Sequence, residues 1–202
     1  MPTWDERFRS GTYPQDPAPS PVLRHYVSVF PEGPVLDVAT GTGRNAVFLA
    51  AAGREVDAID QSRAGLEITR ERAAERGVAG RVNLVQADVP SFTFPNERYA
   101  AVTVSYFRAI DRFADLKDAL LPGGYLFVEH HLRSSEPTPS GPRTDRYRYA
   151  ANELLHAGLD LTVLYYDETA SENPEGERRA NARLLARKTS GPRQAYPPRW
   201  DR

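Results

Sequence analysis

The sequence has no cysteine, which removes disulfides, thiolate metal sites and a thiol nucleophile from consideration. Lysine is almost as scarce: only Lys117 and Lys188 occur, so 24 of the 26 basic residues are arginines. Arginine pairs bidentately with carboxylates and oxyanions, but the excess is read as genome composition before it is read as anion binding. A dominant charge sign is also missing. The net charge of −1 sets up no global field toward nucleic acid or an anionic membrane. No apolar run approaches the roughly 18 residues of a membrane span, and the opening Trp4-Asp5-Glu6-Arg7 lacks an apolar signal region. The expectation is a cytoplasmic protein with no metal site, no membrane contact and no nucleic-acid partner. Oligomeric state leaves no trace in the sequence.

What is present is the pattern of one α/β domain: 202 residues, 40% of them hydrophobic and 26% charged. Residues 1–21 carry Pro2, Pro14, Pro17, Pro19 and Pro21 and read as an extended arm, with one short helical turn at Asp5–Arg9. In residues 22–30, Val22, Tyr26 and Val29 recur at helical spacing. The apolar run Pro34–Ala39 predicts a buried strand, and Asn45–Ala52 a helix closed by Gly53. Residues 55–59 predict a second strand ending at Asp60. A helix from Ser62, its N-cap, runs to Arg76 before Gly77. Further strands are expected at Val82–Gln86, Tyr99–Ser105 and Tyr125–Glu129, with a helix at 112–120 and a turn at Gly123–Gly124. After a polar loop at 133–146 come a helix at Tyr149–Ala157 and two antiparallel strands, Leu159–Tyr166 and Arg179–Arg187. Strands alternating with helices predict a Rossmann-like, doubly wound, mostly parallel seven-stranded sheet ending in an antiparallel β-hairpin. The domain is expected over 22–188 and a disordered tail over 189–202.

The chemistry concentrates at strand ends. In Asp37–Ala46 (DVATGTGRNA), Gly41 and Gly43 lie between a strand and a helix N-terminus. Backbone N–H groups approach a ligand there without a Cβ in the way. Asp37 ends the first strand, where it would repel a phosphate but tolerate an ammonium. Asp60 ends the second, where an acceptor can hold two ribose hydroxyls. Asp88 follows the third, near where an adenine amino group would need an acceptor.

The ordered set DVATGTGRNA, AIDQS (58–62), QADV (86–89) and LLPGGYLFVE (120–129) resembles the motif series of class I S-adenosylmethionine-dependent methyltransferases. The wider chain is similar to the small-molecule branch with the tellurite-resistance and thiopurine methyltransferases, through WDERFRSGTYP (4–14), SYFRA (105–109) and RYRYAANELLHAGL (146–159). The resemblance implies S-adenosylmethionine as cofactor, S-adenosylhomocysteine as product and a small-molecule methyl acceptor. It places Asp37 near the methionine ammonium, the backbone of Ala39, Thr40, Gly41 and Gly43 around the methionine, Asp60 with Gln61 at the ribose, and Asp88 with Val89 at the adenine. Ser105 and Tyr106 would border the transferable methyl group. Thr40 departs from the small residue or cysteine often found there.

Methyl transfer needs alignment and a dry site more than acid–base chemistry. For a nucleophile that does need a base, the candidates are His130 and His131, of which strand alternation lets one face the site. Arg108, Arg133 and Arg148 are candidates for an anionic substrate, and Trp4, Phe8 and Tyr13 either close the arm over the cofactor or staple it to the body. His25 and His156 receive no role. Two alternatives stay open: a nicotinamide-dependent oxidoreductase, since Gly41-x-Gly43-x-x-Ala46 also fits a dinucleotide fingerprint, and a non-catalytic cofactor-binding scaffold.

Overall fold

A computed structural model describes residues 3–11, 13, 16–139, 141–172 and 176–198. Its sheet has seven strands: β1 Val35–Val38, β2 Val56–Asp60, β3 Val82–Gln86, β4 Tyr99–Ser105, β5 Leu120–His131, β6 Thr162–Glu172 and β7 Arg178–Arg187. Their spatial order is β3-β2-β1-β4-β5-β7-β6. The first five pair parallel and β7 runs antiparallel to both β5 and β6, as the alternating pattern predicts. The order reverses direction between β1 and β4, and a crevice outside the carboxyl ends of the strands is expected at that point.

Among the described residues are six α-helices: α1 Trp4–Arg9, α2 Pro21–Tyr26, α3 Arg44–Ala51, α4 Arg63–Glu75, α5 Phe113–Asp118 and α6 Glu153–Ala157. Among the described residues no helix is long and apolar enough to cross a membrane. Alternation along β1 divides the core. Val35 joins Leu23, Phe30, Leu49 and Phe127 on the α2/α3 side, while Leu36 and Val38 join Val102, Phe113, Leu116 and Leu154 on the α5/α6 side. Burying each such side chain contributes about 1.5–3 kcal/mol. The same alternation sends Asp37 to the α2/α3 side, which is the side of the site.

The helical turn expected in the arm is present as α1, and three elements differ from the sequence reading. Part of the arm is helical: the Thr3 hydroxyl accepts from the Glu6 N–H, and the Glu6 carboxylate accepts from the Thr3 N–H. This reciprocal cap starts α1 despite the surrounding prolines. The turn expected at Gly123–Gly124 lies inside β5, as a bulge. Tyr99 pairs Leu120 and Ala101 pairs Tyr125, so residues 121–124 loop out of register. A Cβ at Gly124 would lie 2.9 Å from the Leu121 oxygen and 3.0 Å from that of Tyr99. The helix expected from Tyr149 begins at Glu153, because Tyr149 donates its N–H to the His131 oxygen and extends the sheet. Finally, β6 runs on through Asp167–Glu172, a polar stretch that pairs with β7 residue by residue. An edge strand tolerates such composition. Of the tail, residues 199–202 lie outside the described residues, while Gln194 accepts from Arg187.

Candidate active site

At the end of β1 the chain makes a tight left-handed path. Ala39, Gly41 and Gly43 have φ of 54°, 55° and 77°. Gly43 caps α3, and a Cβ there would come within 2.7 Å of the Thr69 side chain, so glycine is required by both torsion and space. The Asp37 carboxylate sits under this turn, 2% exposed. It accepts from Thr103 Oγ1 at 2.6 Å, Thr40 Oγ1 at 2.6 Å and the Ala46 N–H at 3.2 Å. Thus one side chain ties β1 to β4, to the turn and to the first turn of α3, where the helix dipole favours a negative charge. Burial pushes its pKa up to about 6, against the pull of those three donors. Thr40, which departs from the usual small residue, is one of them.

Asp60 closes the neighbouring strand. Its Oδ2 accepts from the Gly41 N–H at 2.8 Å and its Oδ1 from the Ser62 N–H at 2.7 Å. Each oxygen therefore keeps a lone pair for a further donor. Burial raises the pKa of this carboxyl as well. Sequence reading missed Gly65, in the first turn of α4, where a Cβ would stand 2.8 Å from the Gly41 oxygen. A glycine there costs the helix about 1 kcal/mol, and that expense was the available signal.

The arm lies on this turn. Asp5 accepts from Ser62 Oγ and, at 3.2 Å, from the Ala64 N–H, so a second carboxylate caps α4. Trp4, Phe8 and Tyr13 form a three-ring cluster with centroids 5.4–5.8 Å apart. The edge of Phe8 lies 3.3 Å from where a Gly41 Cβ would be. Beyond β3, Asp88 is exposed and Val89 is buried in the core. Gln61 is exposed, and its backbone oxygen accepts from the Gln86 amide.

Past the switch point the rim changes character. Ser105 accepts from Asn45 Nδ2 at 2.9 Å, and Tyr106, at φ 58°, points its hydroxyl to Glu129 at 3.4 Å. Glu129, 2% exposed, also accepts from Arg183 Nε at 2.9 Å and has Arg44 3.4 Å away. Arg44 in turn stacks over the Tyr106 ring at 5.3 Å. Arg44, Asn45, Glu129, Asn181 and Arg183 were not singled out from sequence. Their meeting depends on strand register, which no local motif encodes.

The two histidines separate, as alternation requires. His130 faces the α5/α6 side, with Nε2 2.7 Å from the Tyr147 oxygen and its ring edge-on to Tyr149. His131 faces the site, its ring 4.9 Å from Tyr106. Burial holds both neutral, with pKa pushed down to about 4 for His130 and about 3 for His131. Rings so deeply buried do not titrate near neutrality. The arginines proposed as anion binders are engaged elsewhere. Arg108 is paired with Glu153, Arg133 donates to the Asp145 oxygen, and the buried Arg148 pins the 133–148 loop through the oxygens of Pro142, Leu132 and Thr138.

The donor and acceptor set at the β1–β2 end suits an adenosyl amino acid. A carboxylate with two open lone pairs stands beside a glycine turn that lets a ligand approach the backbone. By topology and turn the chain is a Rossmann-like fold of the methyltransferase type. Residues 35–124 match the family model described as a methyltransferase domain. The ubiquinone/menaquinone biosynthesis C-methyltransferase UbiE of Azotobacter vinelandii is 32% identical over 157 residues, covering 71% of this chain and 60% of that protein. The Ectopseudomonas mendocina UbiE is also 32% identical, over 54% of this chain and 46% of its own length. The chain thus spans about half the length of the curated relatives it matches. In fold it is similar to TehB from Haemophilus influenzae, with TM-score 0.75 and 19% identity over 93% of this chain and 68% of that one. A geranyl diphosphate methyltransferase in complex with GPP and sinefungin gives TM-score 0.63 and 18% identity, over 83% of this chain and 77% of that one. Over residues 35–124 in sequence, and across the sheet in fold, the chain is thus similar to methyltransferases.

Proposed function

We propose that this protein transfers a methyl group from S-adenosylmethionine to a small-molecule nucleophile by in-line displacement. The observation that carries the reading is Asp60, buried at the end of β2 and aimed by the Gly41 and Ser62 N–H groups, with one acceptor site open on each oxygen. That is what two vicinal ribose hydroxyls need. The backbone at Ala39–Gly43 would hold the methionine part, with Asp37 supplying buried negative charge beneath it. Asp88 and Val89, with Gln61 at the margin, would flank the adenine. The cofactor, when bound, supplies an activated methyl on a sulfonium. The protein's own tasks are to fix that group at the β4 end, beside Ser105 and Tyr106, and to exclude water. The Trp4–Phe8–Tyr13 cluster on the Gly41 turn supports a covering role for the arm. A cytoplasmic location belongs to the same reading, since the cofactor is supplied there.

The test is thermal shift with S-adenosylhomocysteine, NAD and NADP at equal concentration. A ligand selective for the native state raises its apparent stability. Stabilisation by S-adenosylhomocysteine alone is the expected result. A shift by NADP instead would return the glycine turn to the dinucleotide reading. Binding without methyl transfer to any acceptor would leave a scaffold.

A further inference from the structure

On the α2/α3 side of the sheet, β7 presents Arg183, Asn181 and Arg179 in turn toward the rim. Register sets Arg183 between Glu129 and Asp167, Asn181 between His131 and Thr169, and Arg179 beside Ser171, two residues beyond the last β5 pair. The first two positions are satisfied. Arg183 reaches Glu129 at 2.9 Å and Asp167 at 3.2 Å, and Arg44 stands 3.4 Å from the other Glu129 oxygen. His131 and Asn181 partner each other. Arg179 is different. Its Nε donates to the Ser171 hydroxyl at 3.2 Å, and among the described residues no carboxylate pairs with it. Glu136, on the neighbouring loop, is taken by Arg178. Three guanidiniums, of Arg44, Arg179 and Arg183, thus share two carboxylates, of Glu129 and Asp167, and one positive charge is left over. That charge reaches the rings at the β4 end. Burial and then Glu129 raise the pKa of the Tyr106 hydroxyl, while Arg44 and Arg179 pull it back; burial lowers that of His131, and Arg179 adds to the effect. Tyr106 itself is held at φ 58°, a left-handed conformation that a bulky side chain rarely adopts and that recurs at ligand sites.

We propose that Arg179 determines the specificity of the acceptor site, and that the acceptor is a small organic acid whose carboxylate pairs with this guanidinium while a separate atom takes the methyl group. The inference rests on the methyltransferase reading and deepens it. Arginine is suited to the task because its planar fork matches a carboxylate with two parallel bonds. Glu129 offers an incoming anion little repulsion, since Arg44 and Arg183 already hold it. The spacing of the strands gives the acceptor its size. β4, whose end would border the transferable methyl group, and β7 are separated by β5. They are therefore two strand spacings apart, about 10 Å. An inorganic oxyanion on Arg179 does not span that interval; an organic acid with its nucleophile several bonds from the carboxylate does. In the transfer, the nucleophile's lone pair forms the new bond to the methyl carbon as the carbon–sulfur pair returns to sulfur. The proton of a hydroxyl or thiol nucleophile passes to water, and the carboxylate stays on Arg179 unchanged.

The test uses the full chain, saturated with S-adenosylhomocysteine and titrated by calorimetry with matched probes: 3-hydroxypropionate and 4-hydroxybenzoate against their methyl esters, with sulfate and selenite as inorganic anions. The better-bound acid is expected to bind at least tenfold tighter than its ester, the effect of one charge-assisted pair. Arg179→Gln, which gives up only the bond to Ser171, should bring acid and ester within twofold of each other and leave S-adenosylhomocysteine affinity within twofold of wild type. Arg179→Lys should restore part of the preference, which a role in packing alone would not do. Equal binding of acid and ester, binding of neither acid, binding of the inorganic ions alone, or a preference that survives Arg179→Gln overturns the proposal. Absence of any S-adenosylhomocysteine binding, measured before the probes are added, overturns the cofactor reading instead.

Discussion

At the β1–β2 end of the rim, buried carboxylates meet backbone N–H groups; at the β4–β7 end they meet guanidiniums. Asp37 and Asp60 accept from Ala46, Gly41 and Ser62, donors fixed by the turn and by helix N-termini within ten or so residues or one strand away. Glu129 instead depends on Arg44 and on Arg183, which is 54 residues downstream. The first arrangement is set by backbone N–H groups and two threonine hydroxyls, and leaves only the outward lone pairs of Asp60 for a ligand. The second is set by side chains and leaves Arg179 without a carboxylate among the described residues. One sheet face therefore carries an end held mostly by its own turn and helix N-termini and an end held by ion pairs across strands.

The largest expected effect breaks the second arrangement. Glu129→Ala leaves Arg44 without its carboxylate and Arg183 with Asp167 alone, and should cost about 3–5 kcal/mol in urea denaturation. A loss below about 1 kcal/mol would show that solvent reaches the cluster. A broader contrast is in proton uptake. The histidines, with pKa of about 4 and about 3 against an ordinary 6.5, stay neutral in the native protein while both protonate in the unfolded chain. Asp37, raised to about 6 from 3.8, works the other way and holds a proton in the native state that the unfolded chain has released. Between pH 4 and 6 the unfolded chain thus binds two protons against one. Stability falls as pH drops, by about 1.4 kcal/mol per unit, a slope that the raised pKa of Asp60 makes shallower. Denaturation midpoints at pH 6, 5 and 4 measure it, and His130→Phe should bring it close to zero. A stability that rose on acidification would place the histidines in water. The smallest effect is local to the first arrangement: Asp60→Ala should weaken S-adenosylhomocysteine binding by about 1–3 kcal/mol on calorimetry, the loss of its charge-assisted hydrogen bonds. Unchanged affinity would move the ribose elsewhere.

The same division explains what the sequence made legible. β3 and β4 appear with the bounds that periodicity predicts, and the Gly41–Gly43 turn sits where its residues require, because strand runs and left-handed turns are local properties. Asp37 and Asp60 were legible as residues but not in their bonding. Asp37 spends its oxygens inward on Thr40, Thr103 and Ala46, a partnership visible only once β1 lies beside β4. Glu129 stands inside a motif without a role in the sequence reading, while the histidines beside it are marked by residue type and by their place after the fifth strand. What decided between them was the pleat, which turns Glu129 and His131 to the site and His130 away, and the depth of burial that keeps both rings uncharged. Arg108 is paired with Glu153 and Arg148 with loop carbonyls, partners that no local motif announces.

The bulge in β5 gives this design some slack. Residues 121–124 leave the ladder between Leu120 and Tyr125, and the loop is latched from outside: the Gly123 N–H donates to the Lys188 oxygen and the Lys188 N–H to the Gly124 oxygen. A one-residue insertion between Tyr125 and His131 would swap the two faces and turn Glu129 into the opposite core. The same insertion at 121–122, ahead of the Lys188 bonds, falls where β5 is already out of register with β4, so a change of length there need not reach the rim. The tip of the strand at the rim is in this way uncoupled from the end that meets the rest of the fold.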